Sequence, residues 1–268
     1  TLFRSLDRGP FSIETAAMAR RSLKNLALGY LAHARDVEGQ ELARAQFTTA
    51  DNMTDSIAAL RLMAETAIAG YEEALAAFYE RWQHEPLVVN KWFALQAMIE
   101  DEAAVERVEG LMAHPAFSWS NPNRVRSVLA SFAMMNLVGF HRRDGAGYRL
   151  LADRVIELDR RNPQVAARML AALGRWRRFD EGRQALMRAE LERITTVDPN
   201  SPGYASFEEF VAHSKLDVEV SKREYSVGTR ALRPELVGTP EQVAEKIAAY
   251  RAAGVNLLLI QASPLHEE

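Results

Sequence analysis

Planar donor side chains follow a helix start near the middle of the sequence. Asn162-Pro163 opens this helix, and Gln164 and Arg168 come next, four residues apart. Residues at that spacing lie on one face of a helix. Amide and guanidinium groups beside a helix N-terminus are suited to bind a carboxylate or a peptide carbonyl. The pattern therefore predicts a binding surface at Gln164 and Arg168.

A second helix start repeats the pattern. Asn121-Pro122 precedes Asn123 and Arg126, which are three residues apart and share a helix face. Arg126 is the third candidate ligand-facing residue. An alternative interpretation stays open for all these side chains, because an arginine-rich composition also produces solvated helix surfaces without any function. No residue of either group predicts a catalytic role.

Composition excludes several function classes. The 268 residues are 48% hydrophobic and 26% charged, with a formal net charge of −3 and no cysteine. This balance gives no sign of a nucleic-acid partner or an anionic membrane surface. No run approaches the ~20 apolar residues of a membrane span, and the first residues lack the pattern of a signal peptide. A chain without thiols fits a reducing compartment, so we expect a cytoplasmic location.

From residue 11 to residue 194 the apolar residues recur with the period of a helix, so helices are expected to position the side chains described above. Apolar residues recur at every third or fourth position, and strand-like alternation does not appear. Helices that bury such stripes on one another predict a mainly α fold, a superhelical stack of antiparallel helix pairs of the HEAT or ARM type. Asp51 or Asn52 is expected to cap one helix. The predicted stripes are Leu23, Leu26, Ala27, Tyr30 and Leu31; Met53, Ile57, Leu60 and Ala64; Val125, Val128, Leu129 and Phe132; and Val165, Met169, Leu170 and Leu173.

Residues 195–268 differ from the helical part in composition and in their apolar pattern, so a domain boundary is predicted after residue 194. Pro199, Pro202 and Gly203 interrupt any helix. Further on, Thr239 is expected to cap a helix that leads into the apolar run 255–260, which fits a buried parallel strand. The two predicted domains are therefore a helical domain at 1–194 and a small α/β tail at 195–268.

The first domain contains five separated motifs, which are ADNMTD (50–55), KWF (91–93), SNPNRVRS (120–127), DGAGY (144–148) and RNPQVAARM (161–169). In this order and spacing they resemble the C-terminal helical domain of bacterial aminopeptidase N, in the M1 zinc-peptidase family. The resemblance implies a superhelical bowl that closes over a catalytic domain and limits the access of long peptides. It also implies that Gln164, Arg168 and Arg126 face the enclosed substrate chamber, with a peptide substrate as partner.

The catalytic motif of that family is absent from the sequence. An M1 peptidase holds zinc with two histidines of an H-E-x-x-H helix, whose Glu is the general base. None of the six histidines has another histidine four residues away, and His84-Glu85 and His266-Glu267 are isolated dipeptides. The chain is therefore expected to have no catalytic, metal or cofactor residues of its own. Zinc would belong to the complete aminopeptidase.

The tail contains the stretches YSVGTRALRPE and LVGTPEQVAEKIAAYRAAGVNLLLIQASPLHEE. These stretches are similar to the C-terminal portion of luciferase-like, FMN-dependent monooxygenases of the alkanesulfonate and dimethylsulfone type. It implies the last quarter of a (β/α)8 barrel, with Thr229 and Arg230 near a mobile loop and Ser263 after a strand. A barrel closes only when strand number and shear agree, so we expect these to be loop residues without an FMN site.

Three functions remain open from the sequence. The first is a non-catalytic, substrate-gating domain of an M1 aminopeptidase N, fused to a foreign tail. The second is a fragment of a flavin-dependent monooxygenase. The third is a helical scaffold for a protein partner, because solenoids present broad concave surfaces. The number of separated motifs favours the first.

Overall fold

The fold was obtained as a computed structural model, which describes residues 11–34 and 37–197 together with Ala248. Within those ranges every regular element is helical, which confirms the mainly α prediction for this part of the chain. The elements are α1 (Thr15–His33), α2 (Val37–Thr49), α3 (Met53–Glu65), α4 (Tyr71–Trp82), α5 (Pro86–Ala97), α6 (Ala104–Ala113), α7 (Pro122–Val125), a π-helical segment (Arg126–Ala130), α8 (Ser131–Met135), α9 (Leu137–Phe140), α10 (Ala146–Asp159), α11 (Pro163–Leu170), a 3-10 turn (Trp176–Arg178) and α12 (Glu181–Val197).

Asparagine side chains cap three helices at positions that the sequence predicts. The side-chain oxygen of Asn52 accepts from the backbone N–H of Asp55 at 3.0 Å, which settles the choice between Asp51 and Asn52. Asn121 accepts from the next turn of α7 at 3.0 and 3.3 Å, and Asn162 accepts from Val165 at 3.2 Å. Each bond satisfies a backbone donor that the first helical turn leaves without a partner.

Helices that follow one another in the chain pack on one another. α1, α2 and α3 form one group, α5 packs on α6 and on the π-helical segment, and α10 packs on α11 and α12. Two predicted stripes line these contacts as expected: Val125, Val128, Leu129 and Phe132 are fully buried, and Val165, Met169, Leu170 and Leu173 are at most 5% exposed. Nearest-neighbour packing of this kind is typical of helical repeats.

The DGAGY motif lies where two helices approach closely. The Phe140 ring meets the Tyr148 ring edge-on, with centroids 5.2 Å apart and planes at 82°. Gly147 lies against the Phe140 backbone, and a Cβ there would come within 2.4 Å of the Phe140 carbonyl oxygen. Since real contacts of that length do not occur, only glycine fits at this position.

The stripe predicted for α1 is wrong. Leu23, Leu26 and Tyr30 are 43%, 57% and 74% exposed, whereas Leu28 is fully buried. The helix faces the core with its other side, where Lys24 and Asn25 reach a buried carboxylate. Apolar periodicity located the helix correctly, but it selected the wrong face because the buried face is partly polar.

That carboxylate is Asp55, only 3% exposed. It accepts from the Lys24 ammonium at 2.6 Å and from the amides of Asn25 and Asn52 at 2.9 and 3.1 Å. Gln46 donates to the Asp55 carbonyl oxygen at 3.0 Å and to the Asn25 side chain at 2.8 Å. This polar network therefore ties α1, α2 and α3 together.

The predicted α/β tail, with Thr229, Arg230 and Ser263, lies outside the described residues. The predicted boundary falls inside α12, which runs from Glu181 to Val197 and buries Ile194. The division at residue 194 stays a prediction. Among residues 11–34 and 37–197, no helix combines the length and the apolar character needed to cross a membrane.

Candidate functional site

Gln164 and Arg168 lie on the exposed face of α11. The other face carries Val165, Met169 and Leu170 into the core. Neither Gln164 nor Arg168 forms a hydrogen bond or ion pair within the described part of the chain, so their donors are available to a ligand. The predicted common face is confirmed.

Arg126 is exposed at the first position of the π-helical segment. Its guanidinium donates to the side-chain oxygen of Asn123, the residue with which the sequence paired it. The contact holds the arginine along the helix surface while leaving other donors of the guanidinium to the solvent side. In the described residues no contact joins Arg126 to Gln164 or Arg168.

Arg124 is a candidate functional residue that sequence reasoning missed. Two residues before Arg126, and about 200° away around a helix, it points into the core and is 7% exposed. Its guanidinium carbon lies 5.0 Å from the centroid of the Phe93 ring. Its Nε and Nη1 atoms have no hydrogen-bond partner among the described residues. No sequence pattern indicates this burial, because an arginine in the first turn after the Asn121 cap is ordinarily exposed.

An aromatic cluster surrounds this buried charge. The His114 ring lies 5.0 Å from Tyr79, 5.2 Å from Trp92 and 5.6 Å from Phe93, measured between ring centroids. The Trp92 indole N–H donates to the Leu75 carbonyl oxygen at 2.9 Å. Aromatic faces attract a guanidinium through their negative quadrupole, which partly compensates its lost hydration. The KWF motif thus supplies two walls of the cluster.

Burial and the nearby Arg124 charge both lower the pKa of His114. The ring nitrogen Nδ1 faces the backbone N–H of Ala116 at 3.1 Å and accepts from it. An unprotonated Nδ1 is what a neutral imidazole offers. The cluster therefore contains one fixed positive charge, on Arg124, beside a neutral histidine.

Replacing Arg124 with methionine should stabilise the fold. The substitution removes a buried charge whose Nε and Nη1 atoms have no hydrogen-bond partner among the described residues, and it keeps an apolar chain over Phe93. We therefore expect the free energy of unfolding to rise by about 1 kcal/mol. Urea unfolding followed by circular dichroism measures this change. The pKa of His114, followed by NMR, should rise at the same time because one of its two causes of depression is gone.

Arg126→Met is the matched control, since Arg126 is exposed. It should change the stability by no more than about 0.5 kcal/mol. A clear loss of stability in Arg124→Met would show that the guanidinium has acceptors in solution that hold it in place.

A second polar cluster lies at the start of α10. His141 and the Tyr148 hydroxyl are 2.9 Å apart, and the Arg183 Nε donates to the His141 carbonyl oxygen at 2.7 Å. Burial, with the Arg183 charge, lowers the pKa of His141, and burial raises the pKa of Tyr148 to about 12. Both rings are neutral near pH 7. The cluster fastens α12 to α10 and offers no charged nucleophile.

Candidate metal ligands are not grouped in the part of the chain that the structure describes: no set of three His, Asp or Glu side chains there could hold an ion. The geometry therefore consists of exposed donors at Gln164, Arg168 and Arg126 on a helical stack. Comparison with known proteins identifies that stack. A family model described as a domain of unknown function (DUF3458_C) with ARM repeats matches residues 1–213.

The chain belongs to the DUF3458_C family. Its relatives include the aminopeptidase N of Haemophilus influenzae, 44% identical over 188 residues, a match that covers 70% of this chain and 21% of that protein. The aminopeptidase N of Caulobacter vibrioides is 43% identical over 194 residues, covering 72% of this chain and 22% of that protein. The DUF3458_C chain thus spans about a fifth of the length of these relatives.

A solved structure agrees with this assignment. Aminopeptidase A of Legionella pneumophila, in complex with aspartic acid, superposes with a TM-score of 0.71 at 32% identity, over 79% of this chain and 26% of that one. The DUF3458_C chain matches the C-terminal helical domain of the aminopeptidase, as its motifs predicted. These findings give no support to the monooxygenase resemblance of residues 195–268, nor to a chimeric origin.

Proposed function

We propose that this chain is the substrate-gating domain of an aminopeptidase N and has no catalytic chemistry of its own. The family match and the relatives support the placement. The observation that carries the gating role is the exposed pair Gln164 and Arg168, whose donors meet no partner in the described residues. In the complete enzyme, zinc would be held by the catalytic domain, since this sequence has no H-E-x-x-H motif.

The chemistry of the proposed role is peptide binding. The guanidinium of Arg168 offers paired donors for the terminal carboxylate or a backbone carbonyl of a peptide, and the Gln164 amide offers both a donor and an acceptor. The opposite face of α11 is packed into the core, so these groups are held on a rigid surface. Arg126, steadied by Asn123, would contribute a second positive group.

Reversing the charge at residue 168 should selectively impair the handling of longer peptides. The test uses a whole enzyme in which this chain replaces the matched region of the Haemophilus influenzae aminopeptidase N. In Arg168→Glu, we expect kcat/KM for peptides of several residues to fall about fivefold, equivalent to about 1 kcal/mol. Single-residue amides do not reach the gating surface, so their kcat/KM should hold.

Arg160→Glu provides the matched control, because Arg160 is also exposed and makes no hydrogen bond or ion pair within the described ranges. It should leave both substrate classes unchanged. If Arg168→Glu and the parent enzyme have equal kcat/KM for both substrate classes, Arg168 is an ordinary surface residue and the gating proposal is wrong.

The more detailed parts of the proposed function are supported by the same family match. A superhelical bowl and a peptide partner are parts of the proposed function, and a cytoplasmic location is proposed because the sequence has no cysteine. The monooxygenase alternative concerns residues 195–268 alone and draws no support from the helical domain. The scaffold alternative would require that the exposed donors of α11 serve a folded partner rather than a peptide.

A further inference from the structure

Arg124 places a positive charge inside the domain without a negative partner. It is 7% exposed, and in residues 11–34 and 37–197 its Nε and Nη1 atoms have no hydrogen-bond partner and its guanidinium forms no ion pair. The contact with the face of the Phe93 ring offsets only part of the lost hydration. An arginine buried to this degree is ordinarily paired, because an unpaired buried charge strongly destabilises a fold. An acceptor beside these two N–H groups would therefore stabilise the domain.

Two further donors lie close to the Arg124 guanidinium. The Nδ1 atom of His114 accepts from the Ala116 N–H at 3.1 Å, so the proton of the neutral ring is on Nε2, which is a donor. The Tyr79 ring lies 5.0 Å from the His114 ring, measured between centroids. Arg124 is near enough to both side chains for their charges to interact. Neither the Nε2 atom nor the Tyr79 hydroxyl has a hydrogen-bond partner in the described ranges.

The surroundings of these donors favour negative charge. The Phe93 and Tyr79 rings meet the His114 ring almost at right angles, at 83° and 84°, so ring edges as well as faces border the cluster. The edge of an aromatic ring carries partial positive charge. The indole N–H of Trp92 is already bonded to the Leu75 carbonyl oxygen. What the cluster offers a ligand is therefore one full positive charge with several donors around it.

We propose that Arg124, His114 and Tyr79 form a binding site for a small monovalent anion, with chloride as its ordinary occupant. The anion must be small, because the Nε and Nη1 atoms are buried and aromatic rings surround them. A guanidinium is more weakly hydrated than an ammonium, so it loses less when it leaves water to pair with an anion.

The bound anion joins three helices and one connecting segment. Tyr79 belongs to α4, Phe93 to α5 and Arg124 to α7, whereas His114 directly follows α6. The donors come together only in the folded chain, so anion binding stabilises the folded state by mass action. This role is separate from the proposed gating function, because it requires neither a peptide nor a catalytic domain.

Thermal unfolding of the full 268-residue chain tests the site. Sodium chloride is compared with sodium gluconate at equal ionic strength, so that screening is the same and only the smaller anion fits the site. We expect Tm to rise saturably with chloride, by about 4 °C at about 0.2 M, and to stay unchanged in gluconate. Arg124→Met should lose this response and should be the more stable protein in gluconate, where the parent has no bound anion.

Arg126→Met is the matched control, since Arg126 is an exposed arginine two positions further on. It should keep the whole chloride response. Tyr79→Phe retains the ring but removes the hydroxyl, so the chloride concentration that gives half of the rise in Tm should increase about fivefold. Chloride should also raise the pKa of His114 in NMR titrations of the parent, because a bound anion offsets the Arg124 charge that helps burial to lower it.

Two results would overturn the proposal. If chloride raised Tm equally in the parent and in Arg124→Met, the effect would be a general action of the salt on the protein. If chloride and gluconate gave the parent the same Tm and the same pKa of His114, Arg124 would hold no anion and only the Phe93 ring would compensate its charge.

Discussion

Asp55→Ala is expected to lower the free energy of unfolding by about 4 kcal/mol, the largest single effect among the polar residues described here. The substitution leaves the Lys24 ammonium, whose side chain is only 12% exposed, without the carboxylate that it contacts at 2.6 Å. It also removes the acceptor for the Asn25 and Asn52 amides. Because these groups belong to α1 and α3, urea unfolding should show the loss over the whole helical domain.

The same residue should make stability sensitive to acid. Burial acts to raise the pKa of Asp55, but hydrogen bonds from Lys24, Asn52 and Asn25 outweigh it and hold the pKa below the ordinary value of 3.8. A carboxyl whose pKa is depressed by folding stabilises the fold above its unfolded pKa and loses that contribution as the pH falls through its folded pKa. The stability difference between the parent and Asp55→Ala should therefore narrow below about pH 4.

Asp51→Ala is the control for Asp55, since Asp51 is exposed and its only hydrogen bond shared with the network is the one it accepts from the Asn52 amide at 2.9 Å. Its effect on the free energy of unfolding should stay within about 0.5 kcal/mol. If Asp55→Ala cost no more than Asp51→Ala, the network would contribute nothing net and the desolvation of Lys24 and Asp55 would cancel their attraction.

Asn136→Ala should destabilise the domain by about 3 kcal/mol. Asn136 is fully buried, and its amide donates to the Ala97 and Ile99 carbonyl oxygens at 3.0 and 2.8 Å. Its oxygen accepts from the Gly139 N–H at 2.8 Å. Truncation leaves the Ala97 carbonyl oxygen and the Gly139 N–H without partners, while the Ile99 carbonyl oxygen keeps its bond from Arg107 at 3.3 Å. Each buried group left without a partner costs about 1–3 kcal/mol unless water enters.

Thermal and urea unfolding of Asn136→Ala measure this loss, and Met135→Ala provides the control because Met135 is 61% exposed. Asn136→Asp separates the roles of the two ends of the amide. It keeps the acceptor for Gly139 but replaces the two donated bonds with repulsion between oxygens, so it should cost at least as much as alanine. A mild effect of both variants would indicate that water replaces the side chain.

The fold could be predicted from the sequence wherever local chemistry agreed with burial. Asn121 and Asn162 cap helices because their side chains satisfy nearby backbone donors, an effect that depends only on local sequence. The stripe from Val125 to Phe132 is buried as predicted because all its members are apolar. The Leu23 stripe was assigned to the wrong face because the buried face of α1 carries Lys24 and Asn25, whose partner Asp55 lies on α3, far away in the sequence.

The candidate site was predicted less completely. Gln164, Arg168 and Arg126 are exposed as a ligand-facing role requires, and the pairing of Arg126 with Asn123 follows from helix spacing. Arg124 could not be found in this way, because its burial depends on Phe93, which is 31 positions earlier in the chain (124 minus 93). Contacts at such separations leave no periodic trace in the sequence.

The π-helical segment Arg126–Ala130 affects the direction in which the exposed Arg126 side chain points, next to residues that are buried. A π turn holds one residue more than an α turn, so deletion of a single residue there would restore regular α geometry. The buried residues from Phe132 onward could stay in place, while Arg126 would turn by about 100° around the axis and move by about 1.5 Å along it. The same rotation would carry the fully buried Val125 out of its place in the core. The direction of Arg126 is therefore tied to the packing of its neighbour, and the extra residue of the π turn is what lets Arg126 face outward while Val125 stays buried.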